Sequence, residues 1–360
     1  MTRPTGSALV LASAALVMLC APAAAQQMKR FGAHWIAFCD NARNCSALAM
    51  TAERAPGYVR IDRAGTPEAE PKVTIAIRRP DIPFRLDFDP PVAGLLPDRD
   101  IEPKRDDDEY MRIPVTAPIE DVLAMLRKAK ALVFTPMKVD FTHESKPGKL
   151  PLAGAIDALA WIDTQQKRAG TITALVKRGK KPASAMPAPP QPPTIATVRS
   201  TREVQPPDYQ SSAPLKSATA CGREVERVRA TWLGDTHVMY WFYCNKETAG
   251  KYNTAFVLFA APAETPAALR EIRLQYPRAV AAIEKAPVVH NPDYDRLQNI
   301  LETFDRPIPD GDCGTFARWH WTGIRFELVL LKKMPVCGGL DMKEWPVLYQ
   351  ARVSSRAPGR

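Results

Sequence analysis

The sequence lacks the catalytic motifs that are easiest to recognise, and it has no long apolar run after its first residues. No H-E-x-x-H, G-x-S-x-G or glycine-rich phosphate loop occurs, so the usual signatures of zinc hydrolases, serine hydrolases and nucleotide-binding proteins are missing. Charges or prolines break every later apolar run before the roughly 20 residues that a membrane-spanning helix needs. The sequence therefore predicts no transmembrane segment.

Residues 1–25 have the parts of a secretory signal peptide. A basic start at Arg3 is followed by an apolar run over residues 8–20 and by small residues up to Ala25. Cys20 suggests a lipoprotein signal as an alternative, but the residues before it, Met and Leu, are bulky where lipid attachment needs small ones. We therefore expect cleavage near Ala25 and an exported, periplasmic protein.

Export would remove Cys20 and leave an even number of cysteines, which is typical of disulfide-bonded proteins. The six are Cys39, Cys45, Cys221, Cys244, Cys313 and Cys337. None of their spacings matches a C-x2-4-C zinc knuckle or a C-x-x-C redox pair. A cysteine nucleophile at Cys313, assisted by His320, is a further alternative, against which the even count argues. Structural disulfides are the favoured interpretation, and we expect no metal and no cofactor.

A proline-rich stretch divides the chain and restricts the pairing of these cysteines. Residues 177–215 have dense prolines and no apolar periodicity, which predicts a semi-extended linker, not a packed element. We place the domains at residues 26–180 and 215–353, joined by a linker at 181–214. Cys39 and Cys45 are alone in the first domain and should pair with each other. The other four allow three pairings, of which the sequential one, Cys221–Cys244 and Cys313–Cys337, fits two hairpin-like segments.

The first domain has the pattern of an α+β unit. Alternating apolar residues predict strands in HWIAF, CSALAM, KVTIAIRR and YMRIPV. Apolar residues at helical spacing predict two amphipathic helices, over residues 116–132 and 150–170, the first with acids near its start and bases near its end. Strands followed by helices are typical of an α+β fold.

The second domain is richer in strands and reads as mainly antiparallel. Residues 226–244 predict two strands around the turn LGDT, and residues 314–334 predict a hairpin that turns at Thr322-Gly323. Residues 252–262 predict another strand, and residues 345–353 a final one. Residues 266–284 are ambiguous between strand and helix. The fold class is therefore α+β and β-rich, with two small domains.

Two charged stretches raise the possibility of ion or surface binding. Residues 97–111 place acids at several positions of a calcium loop, but Pro103 occupies the position that needs glycine. A solvated charged loop is the better interpretation there. The second stretch, residues 167–181, contains six basic residues and no acidic one. Its pattern is typical either of a solvated helix end with a linker or of a contact for an anionic surface. Its members are Lys167, Arg168, Lys177, Arg178, Lys180 and Lys181.

The strand RWHWTG carries alternating aromatic and polar residues. Trp319 and Trp321 share one strand face, and Arg318 lies on the other. Exposed tryptophans could hold a sugar ring, but the apolar area of each favours a place in the core. Trp319, Trp321 and Arg318 are therefore weak candidates for a ligand surface, as are the lysines and arginine of residues 177–181.

Several segments together resemble an exported family of Gram-negative bacteria, domain of unknown function 1176. The matching segments are FCDNARNCSALAM, LAGAIDALAWIDTQQKRAG with its D-x-x-Q-x-R, GKYNTAF, and GDCGTFARWHWTG with the following VCGG and EWPVLYQARV. The first domain is also similar to the invasion-associated locus B proteins through a W…C…C start and a late amphipathic helix. The resemblance implies export and cysteine pairing, and it supplies no catalytic residues.

The residues favour a binding protein over an enzyme. The formal net charge is +10, which suits an anionic envelope glycan, a lipid headgroup or an acidic envelope protein. We expect no nucleic-acid partner. The alternative is an envelope hydrolase, because a catalytic carboxylate pair is assembled in space and leaves no fixed spacing in the sequence.

Overall fold

The computed structural model describes residues 27–50, 57–78, 83–92, 94–96, 101–102, 110–137, 148–201, 228–244, 251–280 and 288–355. Four features predicted above lie wholly or largely outside these residues. They are the signal peptide with Cys20, most of the acidic segment 97–111, the second half of the linker, and Cys221.

The first half of the described chain contains nine strands and two helices. In chain order they are β1 (Met28–Phe31), β2 (Trp35–Cys39), β3 (Cys45–Ala49), β4 (Gly57–Arg63), β5 (Lys72–Arg78), β6 (Phe84–Asp89), β7 (Tyr110–Val115), α1 (Ile119–Lys128), β8 (Ala131–Pro136), β9 (Gly148–Pro151) and α2 (Ala155–Gln165). The four strands predicted here are confirmed as β2, β3, β5 and β7.

Six strands form one antiparallel sheet in the order β1-β2-β3-β4-β5-β7. One face packs on α1, α2 and a second sheet, β6-β8-β9, with Val59, Ile75 and Leu159 in a common apolar cluster. The other face packs on the second half of the chain, where Ile36 and Leu48 share a cluster with tryptophans of that half. All side chains of β2 and β3 are buried because both faces of the sheet are covered.

Both predicted helices form, and both are shorter than predicted. In α1 the buried residues include Val122, Leu123 and Leu126, as the periodicity indicates, and Glu120 and Lys128 complement the helix dipole. The helix ends at Lys128, since Ala129 is already extended (ψ 137°) and leads into β8. Helix α2 begins after Gly154 (φ 100°), where a Cβ would lie 2.7 Å from the carbonyl oxygen of Phe31. Among the described helices, none has the length and apolar character needed to cross a membrane.

The second half of the described chain is almost entirely strand. Its elements are β10 (Thr194–Thr197), β11 (Val228–Leu233), β12 (His237–Cys244), β13 (Ala255–Pro262), β14 (Arg270–Glu271), β15 (Val289–His290), β16 (Asp293–Asp295), β17 (Ile300–Asp305), β18 (Gly314–Trp321), β19 (Phe326–Met334), β20 (Val347–Gln350) and β21 (Arg352–Ser355). Short 3-10 turns occur at Ala183–Ala185 and Met342–Glu344.

These strands form two main sheets that share apolar residues. One has the order β11-β12-β13-β14 with β15 beside β13, and the other has the order β16-β17-β18-β19-β20. Met239 and Leu258 of the first sheet and Trp319 of the second belong to one cluster. The predicted hairpins β11-β12 and β18-β19 are confirmed. In the ambiguous segment, the described residues 266–280 contain only the two-residue strand β14.

The predicted final strand is two strands that belong to different sheets. Strand β20 pairs with β19, whereas β21 pairs in parallel with β10. Ala351 lies between them and donates its backbone N–H to Val329. A pattern of alternating residues cannot indicate this change of partner, because alternation is set by the strand and not by its neighbour.

Part of the described proline-rich segment is packed, although the sequence predicted a semi-extended linker there. Residues Thr194–Thr197 form β10, with Ile195 and Thr197 buried, and Met186 is buried as well. The extended backbone that prolines favour is already close to a strand, so it pairs where a free edge is available. The domain boundaries themselves stay a prediction.

Candidate functional site

The loop between β2 and β3 is closed by the predicted disulfide. Cys39 and Cys45 are directly opposite each other in the strand register, and their sulfurs are bonded. Within the loop, Asp40 Oδ1 accepts hydrogen bonds from the backbone N–H groups of Ala42 (2.8 Å) and Asn44 (2.9 Å). The pair therefore acts as a staple across a hairpin whose turn folds around its own carboxylate.

This stapled loop also binds three distant parts of the chain. Asn41 exchanges two hydrogen bonds with the backbone of Gln350 in β20, at 3.0 and 2.9 Å. The carbonyl oxygen of Arg43 accepts a hydrogen bond from Gln166 at the end of α2, and the Arg43 guanidinium donates to the carbonyl of Pro187. The loop thus fastens the central sheet to the second half, to α2 and to the proline-rich segment.

The remaining cysteines follow the sequential pairing as far as the described residues reach. Cys313 and Cys337 form a disulfide that closes the open end of the hairpin β18-β19. Cys244 is also disulfide-bonded. Its predicted partner, Cys221, lies outside the described residues, so that pairing stays a prediction.

A compact basic segment follows α2, and we call residues 167–181 the basic loop. Asp163, in the last turn of α2, is fully buried. Its carboxylate accepts hydrogen bonds from three successive backbone N–H groups of the loop, those of Leu175, Val176 and Lys177, at 2.8 to 3.0 Å. Charge-assisted bonds of this kind are roughly twice as strong as neutral ones. The buried side chain of Asp163 therefore fixes residues 175–177 of the loop.

Arg168 fixes the other side of the basic loop and is not the solvated base that the sequence predicted. Its side chain has no exposed surface. The guanidinium donates to the side-chain oxygens of Gln166 and Thr173 and to three backbone carbonyls of the segment 64–67. The sequence could not indicate this, because those carbonyls lie about a hundred residues away in the chain.

A second buried guanidinium lies close to Arg168. Arg63 donates to the carbonyl of Ala69, and burial, together with the charge of Arg168, lowers its pKa to about 10. Burial also lowers the pKa of Arg168, while Asp163 opposes that shift. Both arginines stay protonated at neutral pH, so the base of the loop carries more positive than negative buried charge.

The other cations of the basic loop point to solvent. They are Lys167, Lys177, Arg178, Lys180 and Lys181. Glu120 of α1 pairs with Arg178 at 3.0 Å, and the hydrogen bond from Arg178 lowers the pKa of Glu120. The other nearby acids, Glu68 and Glu70, are exposed. The structure thus gathers five exposed cations on one ordered loop, which includes all the basic candidates predicted within residues 177–181.

The tryptophan candidates belong to the core. Trp319 has no exposed surface and Trp321 is 4% exposed. Their predicted place in the core is therefore correct, and the alternative, in which exposed tryptophans hold a sugar ring, is wrong. Arg318 lies across the strand pair from Glu302 and forms an ion pair with it at 2.6 Å. These three residues present no common ligand surface.

A polar cluster joins the two halves at Glu344. The carboxylate of Glu344 accepts a hydrogen bond from the Tyr58 hydroxyl at 2.8 Å and is paired with Arg112 and Arg60 of the central sheet. Burial and the Glu344 charge raise the pKa of Tyr58. The Glu344 side chain is 14% exposed, and all three partners lie in the central sheet, so this carboxylate joins the 3-10 turn of the second half to that sheet.

A second carboxylate, Asp305, lies at the end of β17. His290 Nδ1 is 3.0 Å from its Oδ1, and this hydrogen bond lowers the pKa of Asp305. Asn253 donates to the same oxygen. A general acid in glycoside hydrolysis needs a raised pKa. Neither Glu120 nor Asp305, whose pKa values are both lowered, has that property.

A family model described as "Protein of unknown function (DUF1176)" matches residues 29–352. The chain belongs to this family. It is also 28% identical over 343 residues to the uncharacterized protein YpfG of Escherichia coli strain K12. The aligned region covers 88% of this chain and 91% of that protein. No solved structure shows a significant match. The similarity to the invasion-associated locus B proteins stays a resemblance.

The segments that resemble DUF1176 proteins have structural tasks in this chain. The cysteine loop 39–45 binds three distant segments, and the D-x-x-Q-x-R residues Asp163, Gln166 and Arg168 are all fully buried. Asn253 of the GKYN segment bonds to Asp305 and to the backbone of Arg306. Recognition of the DUF1176 family therefore rests on residues that hold the fold together, and it leaves the surface to indicate function.

Proposed function

We propose that this DUF1176 protein is an exported, periplasmic, non-catalytic binding module for an anionic component of the cell envelope. The observation that carries the proposal is the basic loop, in which five exposed cations stand on a backbone fixed by buried Asp163 and Arg168. The shared chemistry of its ligand is the phosphate or carboxylate group of an envelope glycan or lipid.

Order in the loop favours binding because the backbone is already fixed before the ligand arrives. Disordered basic segments lose conformational entropy when they bind, and this loss weakens their affinity. Here three backbone N–H groups and a buried guanidinium hold the loop in advance. Attraction to exposed lysines is screened by salt, so binding should weaken as ionic strength rises.

Two disulfides support the exported part of the proposal, because disulfides persist in oxidising compartments. Cell fractionation followed by N-terminal sequencing of the recovered protein tests it directly. We expect the protein in the periplasmic fraction with an N-terminus near Gln26. An intact N-terminus in the cytosolic fraction would contradict the proposal.

Binding is tested with a charge reversal on the loop and a matched reversal elsewhere. We expect Lys177→Glu/Lys180→Glu/Lys181→Glu to reduce affinity for phosphatidylglycerol vesicles or for soluble polyphosphate by at least about tenfold, since each lysine near an anionic surface contributes about 1 kcal/mol. The control is Arg270→Glu/Arg273→Glu/Arg278→Glu, which changes the same number of exposed charges on the other half of the chain.

The probes separate the two sources of anionic chemistry. Binding to vesicles alone indicates a lipid surface, and binding to polyphosphate alone indicates a free or polymeric anion. Phosphatidylcholine vesicles measure the uncharged background. If both variants lost the same affinity, the effect would come from net charge alone, and the assignment to the basic loop would be wrong. Unchanged affinity in both variants would also overturn that assignment.

A further inference from the structure

The carboxylate of Asp312 lies beside both sulfurs of the disulfide Cys313–Cys337. The spacing of these residues in the sequence did not indicate this. Asp312 precedes Cys313, and the two sulfurs and one Asp312 carboxylate oxygen all lie within 4.8 Å of one another. Cys313 is 1% exposed, whereas Cys337 is partly exposed. Two sulfur atoms and one oxygen atom are therefore gathered at one point, which can be reached from the side of Cys337.

One oxygen of this carboxylate has nothing to bind within the described residues. Asp312 Oδ2 accepts the backbone N–H of Gly339, while Oδ1 is shielded from solvent and lacks a hydrogen-bond partner in the described part of the chain. A buried carboxylate oxygen left unpaired costs free energy, so its presence asks for a physical reason.

The other stapled loop provides an internal comparison. Asp40 also lies next to a disulfide-bonded cysteine, Cys39, but both of its oxygens are satisfied: Oδ1 by two backbone N–H groups, and Oδ2 by the side chains of Asn44 and Gln350. An aspartate beside a disulfide is therefore not enough to leave an orphan oxygen. The arrangement at Asp312 is specific to that corner.

The corner is held rigidly, which keeps the carboxylate at the sulfurs. Gly314 follows Cys313 with φ 132°, and a Cβ there would lie 2.0 Å from the carbonyl oxygen of Asp305. Only glycine fits this approach. Gly339, which binds Asp312 Oδ2, is held in turn by the Tyr110 hydroxyl at its carbonyl oxygen, at 2.7 Å.

We propose that Asp312, Cys313 and Cys337 form a redox-gated site for a borderline-soft divalent cation such as Zn²⁺. A dithiol reductant opens the disulfide and is itself oxidised to a disulfide, leaving two thiols on the protein. The cation then displaces both thiol protons and takes two thiolates and Asp312 Oδ1, with a fourth position open to water. Zinc–sulfur bonds of about 2.3 Å place tetrahedral sulfurs roughly 3.8 Å apart, so the two sulfurs, which are bonded to each other in the disulfide, must move apart after reduction. A carboxylate oxygen of Asp312 already lies within 4.8 Å of both sulfurs.

The oxidised protein has no such site, because disulfide sulfurs are poor ligands compared with thiolates. The site is also independent of the basic loop, since it lies at the end of the hairpin β18-β19. Failure of one proposal therefore leaves the other standing.

The test measures binding of zinc or cobalt to the exported chain after reduction with a phosphine, which does not compete as a thiol. Native mass spectrometry counts bound zinc, and a thiolate-to-cobalt charge-transfer band reports sulfur ligation. We expect reduced wild type to bind one ion more than Cys313→Ser/Cys337→Ser, and to bind none of that ion when oxidised. The matched control, Cys39→Ser/Cys45→Ser, removes the other dithiol and should retain the ion.

Asp312→Asn separates a three-ligand site from two adventitious thiols. We expect the variant to keep its thiols and its circular dichroism spectrum but to lose at least about tenfold in zinc affinity, by analogy with losses at other residues that support metal sites. Wild-type affinity in Asp312→Asn would overturn the proposal. So would equal binding by oxidised protein, loss of the ion in Cys39→Ser/Cys45→Ser, or unfolding of the reduced wild type, since the site needs the fold to place Asp312.

Discussion

Arg168 carries a full positive charge at a position with no exposed surface. The hydrogen bonds that it donates to its neighbours offset the free-energy cost of burying that charge. The guanidinium reaches two side-chain oxygens and three backbone carbonyls at once. A lysine in its place would keep the charge but would have only three donors on one nitrogen. Arginine suits this position because its planar guanidinium carries enough donors, in different directions, to reach all five acceptors.

We expect Arg168→Lys to lower the free energy of unfolding by about 3 kcal/mol, because it leaves buried carbonyl oxygens without a donor. Urea unfolding followed by intrinsic fluorescence measures the change. Lys167→Arg, an exchange at the exposed neighbouring position, serves as control and should stay within about 0.5 kcal/mol of wild type. A loss below that level in Arg168→Lys would mean that the buried guanidinium is not an anchor.

The ordered backbone of the basic loop depends on the carboxylate of Asp163. We expect Asp163→Asn to speed hydrogen exchange of the amides of Leu175, Val176 and Lys177 by roughly tenfold or more, since an amide oxygen is a weaker acceptor than a carboxylate. Mass-spectrometric or NMR exchange measures this. Asp157→Asn, on the exposed side of the same helix, should leave these amides unchanged. Equal protection in both variants would show that the loop is held by other contacts.

Local patterns predicted those elements whose signals are contained in a few neighbouring residues. The hairpin turn at Thr322-Gly323 and the apolar face of α1 are of this kind, and the pair Cys39–Cys45 followed from its isolation in the first half. Partners that lie far away in the chain gave no such signal. Burial of Arg168 depends on carbonyls about a hundred residues earlier, and the strand at Thr194–Thr197 depends on an edge supplied by the last residues.

The candidate sites were predictable to different degrees for the same reason. A run of lysines is visible in the sequence, so the exposed cations of the basic loop could be named, although not their fixed backbone. The orphan oxygen of Asp312 could not be found, because its neighbour Cys337 and its donor Gly339 are brought there only when the hairpin closes. Spacing rules for metal ligands assume knuckles, and this cluster contains none.

For the whole molecule, the main fact is that the central sheet has apolar side chains on both faces. Ile36, Phe38 and Leu48 are buried by the second half of the chain, and Glu344 is bound by Tyr58 and Arg112 at the same boundary. The two predicted domains therefore share a core, and each leaves apolar surface uncovered without the other.

We expect the fragment of residues 26–180 to bind a hydrophobic dye, to self-associate and to unfold without a sharp transition, whereas the chain of residues 26–360 unfolds in one cooperative step. Burial of apolar area is the main source of stability, and the fragment lacks it on one face of its sheet. Dye fluorescence, analytical ultracentrifugation and urea titration measure these properties. A monomeric fragment that unfolds cooperatively and binds no dye would establish the first half as an independent domain.

The contact between Asn41 and Gln350 joins positions 309 residues apart. During synthesis, the first half emerges long before the second half, so this face of the sheet stays uncovered until the second half has been made. Closing so long a loop is slow compared with forming local hairpins. A chain that lacks strands β20 and β21 would lose the bonds between Asn41 and Gln350 and the parallel pair β10-β21, so these contacts between distant parts of the chain form late in synthesis.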